Sequence, residues 1–339
     1  MNMIPINADG LVRLAYKHPC LRSNWYIFAS TVLTVVNQPQ ELGKVLHFAL
    51  RQQLLEGPSL SDNSLLTNAY LLKLAEDSIS SAAEFRELSE TGVDLPDVLP
   101  TSRYPDELPF GFEYTNSEDI SEAQLLVAKK IRESILKIAP ISGLPKSIMA
   151  LTALKMSTPS TLKPSALAER SQWVVPGHAN SSKPVFENAA SRSTKTNSNQ
   201  IFETIEGRIS LSSVSNDAIL RNAIEGSDFW SLIYGKIKGR VRRQLIDAYP
   251  DLWQYAYQSV YGSILSYTKV LNARETSLCV LCALIPQDVN PILKGHLKGA
   301  ENVGASKEEI ENCRQLTLDI CDWSGNVACK SGRKSDEKL

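Results

Sequence analysis

Two helices joined by a proline-bounded elbow, residues 273–304, constrain this chain more than any other stretch. Asn272 precedes Ala273-Arg274-Glu275, and a cap residue with Glu three places on forms a capping box that starts a helix. Leu278, Val280, Leu281, Ala283, Leu284 and Ile285 make that helix apolar almost all round, which suits a position inside a bundle. Pro286 stops it. Asn290 can cap the next helix, and Pro291 suits its first position because the N–H it lacks has no partner there. This second helix carries one histidine, His296, and Gly304 is a natural left-handed stop. Ser306-Lys307-Glu308-Glu309 is another capping box and predicts a final helix to about Trp323.

The remaining pattern is also helical, so the expected fold class is all-α, a helical bundle. Residues 1–156 form an N-terminal half: Leu11-Val12-Leu14-Ala15 begins one helix, and residues 25–36 read as a buried second. Leu42, Val45, Leu46, Ala49 and Leu50 share one face of a third. A proline-rich excursion over 93–118 interrupts the periodicity. Residues 157–222 are dominated by Ser, Thr, Asn, Lys and Pro and predict a disordered linker or insertion, with too few apolar groups to offset ordering entropy. The second helical half spans 223–325, and 326–339 reads as a flexible tail.

At 339 residues the chain can bury a sizeable core. Its net charge of −1 supplies no field favouring nucleic acid. No window approaches the ~20 apolar residues of a membrane span. The start, MNMIPINADG, resembles neither a secretory signal nor an Arg- and Ser-rich presequence. Six cysteines without such a signal point to reduced intracellular thiols. Cys279-Val280-Leu281-Cys282 lies within an apolar run, the reverse of the electropositive, accessible setting a reactive thiol needs. No metal site and no cofactor are expected: no histidine is near those cysteines in sequence, and P-loop, dinucleotide and nucleophile-elbow patterns are missing.

The N-terminal half echoes the opening motif. Arg132-Glu133 begins an apolar run, Ile141-Ser142-Gly143-Leu144-Pro145 follows, and Lys146-Ser147-Ile148-Met149-Ala150-Leu151 continues as a second helix. Five residues past the second-helix proline stands Ala150 in this copy and His296 in the later one. This reads as a degenerate repeat of one two-helix unit.

Phe229-Trp230, Tyr234-Gly235, Tyr249-Pro250-Asp251-Leu252 and Tyr261-Gly262 lead into Glu275-Thr276, His296-Leu297-Lys298-Gly299-Ala300 and Glu308-Glu309-Ile310. In this arrangement residues 228–323 resemble the carboxymuconolactone decarboxylase and alkylhydroperoxidase-D-like superfamily. The whole is most similar to its fungal members, some of them peroxisomal. The resemblance implies an all-α fold, a second helix lining a small-molecule pocket, and homo-oligomers, trimeric or hexameric. Peroxidase members carry Cys-x-x-Cys-x-x-x-His on that helix. Here Val289 and Ile292 occupy the thiol positions, so a thiol peroxidase is disfavoured.

The expected function is a cofactor-free lyase or isomerase acting on a small carboxylated substrate, with His296 as acid/base. An imidazole titrating near neutrality can exchange protons, and a helix N-terminus beginning at Asn290 suits a carboxylate. Lys294 and Lys298 could add positive charge, and Glu275 could orient His296 or relay a proton. The alternatives are a packing histidine in a catalytically silent scaffold or binding protein, and a Glu275 that only closes its capping box. His18, His47 and His178 stand in less promising settings, and the basic run 236–243 reads as a solvated helix face. Glu337-Lys338-Leu339 approximates a Ser-Lys-Leu address for a peroxisomal import receptor, with Glu in place of the small residue. The expected location is the peroxisome, with the cytoplasm as alternative.

Overall fold

A computed structural model describes residues 5–57, 63–98, 108–115, 120–165, 170, 202–205, 207–210 and 213–325. In chain order the helices of the first half are α1 (Ala8–Tyr16), α2 (Trp25–Val35), α3 (Leu42–Gln52), α4 (Ala69–Glu90), α5 (Ile120–Lys137), α6 (Ala139–Ser142) and α7 (Leu144–Met156). The second half holds α8 (Asn216–Tyr234), α9 (Lys238–Ala248), α10 (Pro250–Gln254), a π-helix (Tyr255–Leu265), α11 (Ala273–Leu284), α12 (Asn290–Asn302) and α13 (Lys307–Trp323). The expected all-α class is borne out. The strands among the described residues are four short pieces in two antiparallel pairs. β1 (Leu55–Glu56) pairs with β2 (Glu113–Tyr114), which pins part of the proline-rich excursion to the end of α3. β3 (Phe202–Thr204) pairs with β4 (Gly207–Ile209).

Of the Ser/Asn/Lys-rich stretch 157–222, residues 171–201 lie outside the described residues, as do 326–339, including Glu337, Lys338 and Leu339. The edges of that stretch are structured. Leu162 is buried against the core, Arg170 is paired with Glu133, and α8 begins at Asn216, capped by Ser215.

The opening motif folds as its residues dictate. Both capping boxes are closed: Asn272 accepts from Glu275 N at 2.9 Å, Ser306 accepts from Glu309 N at 3.0 Å, and each glutamate reaches back to its cap N–H. Arg274 and Glu309, one from each box, approach to 3.3 Å. Gly304 adopts φ 89° and ends α12. One detail differs from expectation. Asn290 is already the first helical residue, Val289 is the cap residue without a side-chain bond, and the Asn290 amide donates to Asp288 Oδ1 at 2.8 Å. Asp288 turns the elbow in the left-handed region, φ 55°, which Asp tolerates better than most residues.

α11 owes its all-round apolar character to its place between two clusters. Leu278, Cys279, Leu281 and Cys282 join a core shared with α2, α3 and α5, while Val280 and Leu284 face Phe229, Trp230, Ile233, Tyr261 and Leu265. α11 touches α2, α5, α6, α12 and α13, so the N- and C-terminal helices share one core. The echo is looser than its sequence. Arg274-Glu275 opens α11, whereas Arg132-Glu133 falls near the end of α5, which already begins at Ile120. Ala150 is fully buried on α7.

Candidate functional site

His296 lies in the second turn of α12, half-buried against an aromatic wall built by α8 and the π-helix. Its ring meets Tyr234 at a centroid distance of 6.0 Å, and Nε2 stands 3.5 Å from the Tyr234 hydroxyl, the long limit of a hydrogen bond. That hydroxyl is 2.9 Å from the Tyr261 hydroxyl. Trp230 packs against Tyr234 at 4.2 Å and Tyr261 at 4.7 Å, fixing both phenols. The α8–π-helix contact is close because both backbones carry glycine where they cross. A Cβ on Gly226 would meet Gly262 Cα at 2.7 Å.

Burial lowers the His296 pKa to about 4, and no carboxylate among the described residues acts to restore it. The expectation of an imidazole titrating near neutrality is therefore corrected: His296 is neutral at pH 7. Burial also raises Tyr234 and Tyr261, so both phenols keep their protons.

The other expected site residues do not gather around the imidazole. Glu275 is buried and accepts from Lys130 Nζ at 2.7 Å, besides closing its capping box; no bond joins it to His296 among the described residues. Lys294 and Lys298 are exposed, and Lys298 pairs with Glu301 at 2.7 Å. Each lies two residues from His296, about 200° around the helix, on the opposite side. Asn290 is engaged with Asp288. His296 lines none of four cavities found among the described residues, which include one of about 630 Å³ between α4 and α7 and one of about 350 Å³ between α1 and α13.

The thiols behave as buried hydrophobes. Cys279, Cys282, Cys313 and Cys321 are buried, and burial pushes the Cys279 and Cys313 thiols well up. The basic residues Lys236, Lys238, Arg240, Arg242 and Arg243 are exposed, with Arg242 over the Trp253 ring.

A 34% identity over 332 residues links the chain to Peroxisomal protein 2 of Saccharomyces cerevisiae, covering 98% of this chain and 99% of that protein. The chain belongs to the Peroxisomal protein 2 family. The Schizosaccharomyces pombe protein of the same name is 30% identical over 196 residues, 58% of this chain and 70% of that one. No family model and no solved structure matches the chain. Membership of this family makes the chain a peroxisomal protein, as expected. Among the described residues, no helix is long and apolar enough to cross a membrane.

One charged cluster of this peroxisomal protein escaped the sequence reading. Lys137 is fully buried, and Glu133, Arg170 and the end of the π-helix surround it. Its only signal was a lysine at a core-facing position of an amphipathic helix, which resembles an ordinary helix-terminal charge. Arg170 comes from the segment whose composition predicted no structure.

Proposed function

We propose that this peroxisomal protein is carboxymuconolactone-decarboxylase-like, a cofactor-free isomerase or lyase acting on a small carboxylated substrate through His296. The observation that carries the reading is a neutral imidazole at the end of a Tyr261–Tyr234–His296 line of hydroxyls. A neutral ring can accept a proton from carbon next to a carbonyl. Because burial disfavours the imidazolium, the ring returns that proton readily to a second carbon. Proton removed and proton restored balance, which suits isomerisation of an unsaturated lactone or keto acid; decarboxylation would draw one further proton from solvent. Lys294 and Lys298, exposed on the opposite side of the helix and with Lys298 paired to Glu301, are left out of this reading. Asn290 stands at the helix N-terminus as the candidate contact for the substrate carboxylate.

A second reading is a silent scaffold, favoured by one observation: Glu275 is taken up by Lys130 and its cap and does not orient the imidazole. The deciding experiment assays the purified protein and His296→Asn on a panel of unsaturated lactone acids and keto acids. Turnover by the parent, abolished in a variant of unchanged melting temperature, is the expected result. A parent inactive across the panel, with the variant losing stability, would establish the scaffold.

A further inference from the structure

Lys137 closes α5 as a fully buried charged side chain. Its ammonium donates to Leu265 O at 2.9 Å, Tyr267 O at 2.7 Å and Ile264 O at 3.3 Å, using all three of its donors. These carbonyls lie at the C-terminal end of the π-helix, where a helix leaves acceptors open and its dipole is negative. Arg170 takes the neighbouring Ser263 carbonyl at 2.9 Å and pairs with Glu133, which lies 3.8 Å from the Lys137 ammonium. Glu275 and Cys279 of α11 complete the groups that act on the lysine. Lys137, Arg170, Glu133 and a helix end thus balance one another, with Glu275 as a further negative charge.

The clamped element is unusual. Most π-helices are single-turn bulges, whereas this one runs 11 residues. Tyr261 lies four residues before Leu265, so the position of the clamp governs where its ring points. From there the line passes to Tyr234 and His296. Gly226 and Gly262, in backbone contact, leave no slack between the π-helix and α8.

We propose that Lys137 is a positioning residue for His296: held on the carbonyls of Ile264, Leu265 and Tyr267, it fixes the register of the π-helix and with it the hydroxyl line that ends on the imidazole. The importance of this coupling rests on the His296 reading above; the coupling itself is measurable whether or not a substrate is known.

The test records imidazole 15N shifts of histidine-labelled protein at neutral pH. In the parent, His296 Nε2 should read as an acceptor, with the proton on Nδ1. Lys137→Met keeps the length of the stem and removes the donors; it should move the His296 proton to Nε2, while Lys137→Arg preserves the parent signature. A folded Lys137→Met whose His296 shifts superimpose on the parent would overturn the proposal. Should that variant fail to fold, hydrogen exchange on the unaltered protein decides. Burial lowers the Lys137 pKa to about 8. Raising pH through that value weakens the clamp, so protection of the Ser266 amide, bonded to Tyr261 O, should fall relative to amides in α3. Equal protection would overturn the coupling. Neither readout depends on turnover, so the loss of the His296 function and the loss of this coupling are separate results.

Discussion

Glu275 and Lys130 meet at 2.7 Å between α11 and α5, with both side chains largely withdrawn from solvent. The same carboxylate closes the capping box with Asn272. One residue therefore starts α11 and ties the second half of the chain to the first. Replacing one partner of a buried pair leaves the other charge uncompensated, at a cost of about 3 kcal/mol. Glu275→Gln should lose that much in urea unfolding, and combination with Lys130→Met should recover part of it. Strict additivity of the two changes would show that the pair is uncoupled.

Acid should weaken the fold in a window set by its histidines. His47 is buried with Nδ1 on Ser81 and Nε2 on the Ser157 carbonyl, and burial lowers its pKa to about 3. His296 is lowered to about 4. Both folded values lie below the unfolded ~6.5, so the unfolded state binds more protons in between. The contribution is fully present above pH 6.5 and is lost as pH falls towards 4 and then 3. Urea midpoints should drop from pH 7 to pH 4.5, less steeply in His296→Asn. A flat midpoint over that range would contradict the desolvation of both imidazoles.

The core thiols should be inert. Cys279, Cys282, Cys313 and Cys321 are buried, and burial pushes Cys279 and Cys313 away from the reactive thiolate. Mass spectrometry after iodoacetamide treatment of the native protein should find those four unmodified, and modified only after denaturation. Rapid alkylation of Cys279 in the folded protein would reopen thiol chemistry.

The crossing of α8 and the π-helix admits no side chain. Gly226→Ala would press a methyl onto the Gly262 backbone and should cost about 1–3 kcal/mol, with changed fluorescence from the packed Trp230. Gly239→Ala is the control. A Cβ there meets nothing within 4 Å, and removing a helical glycine should stabilise by about 0.5–1 kcal/mol. Equal melting temperatures for the two variants would deny the close crossing.

Sequence alone determined the helical class, the two capping boxes, the Gly304 stop and the buried run of α11, because each depends on residues within a few positions of one another. It also singled out His296 and discounted the cysteines. Only the tertiary structure decided what His296 touches and how it titrates: Tyr234 comes from 62 residues away, and the desolvation that lowers the pKa exists only once the helices pack. The partner of Glu275 was equally out of reach, since Lys130 is 145 residues distant and a capping glutamate has the same local pattern with or without it. Lys137 shows the limit most sharply. A lysine at the end of an amphipathic helix ordinarily reaches solvent, and only the arrival of another helix end, 128 residues later, turns it into a buried clamp.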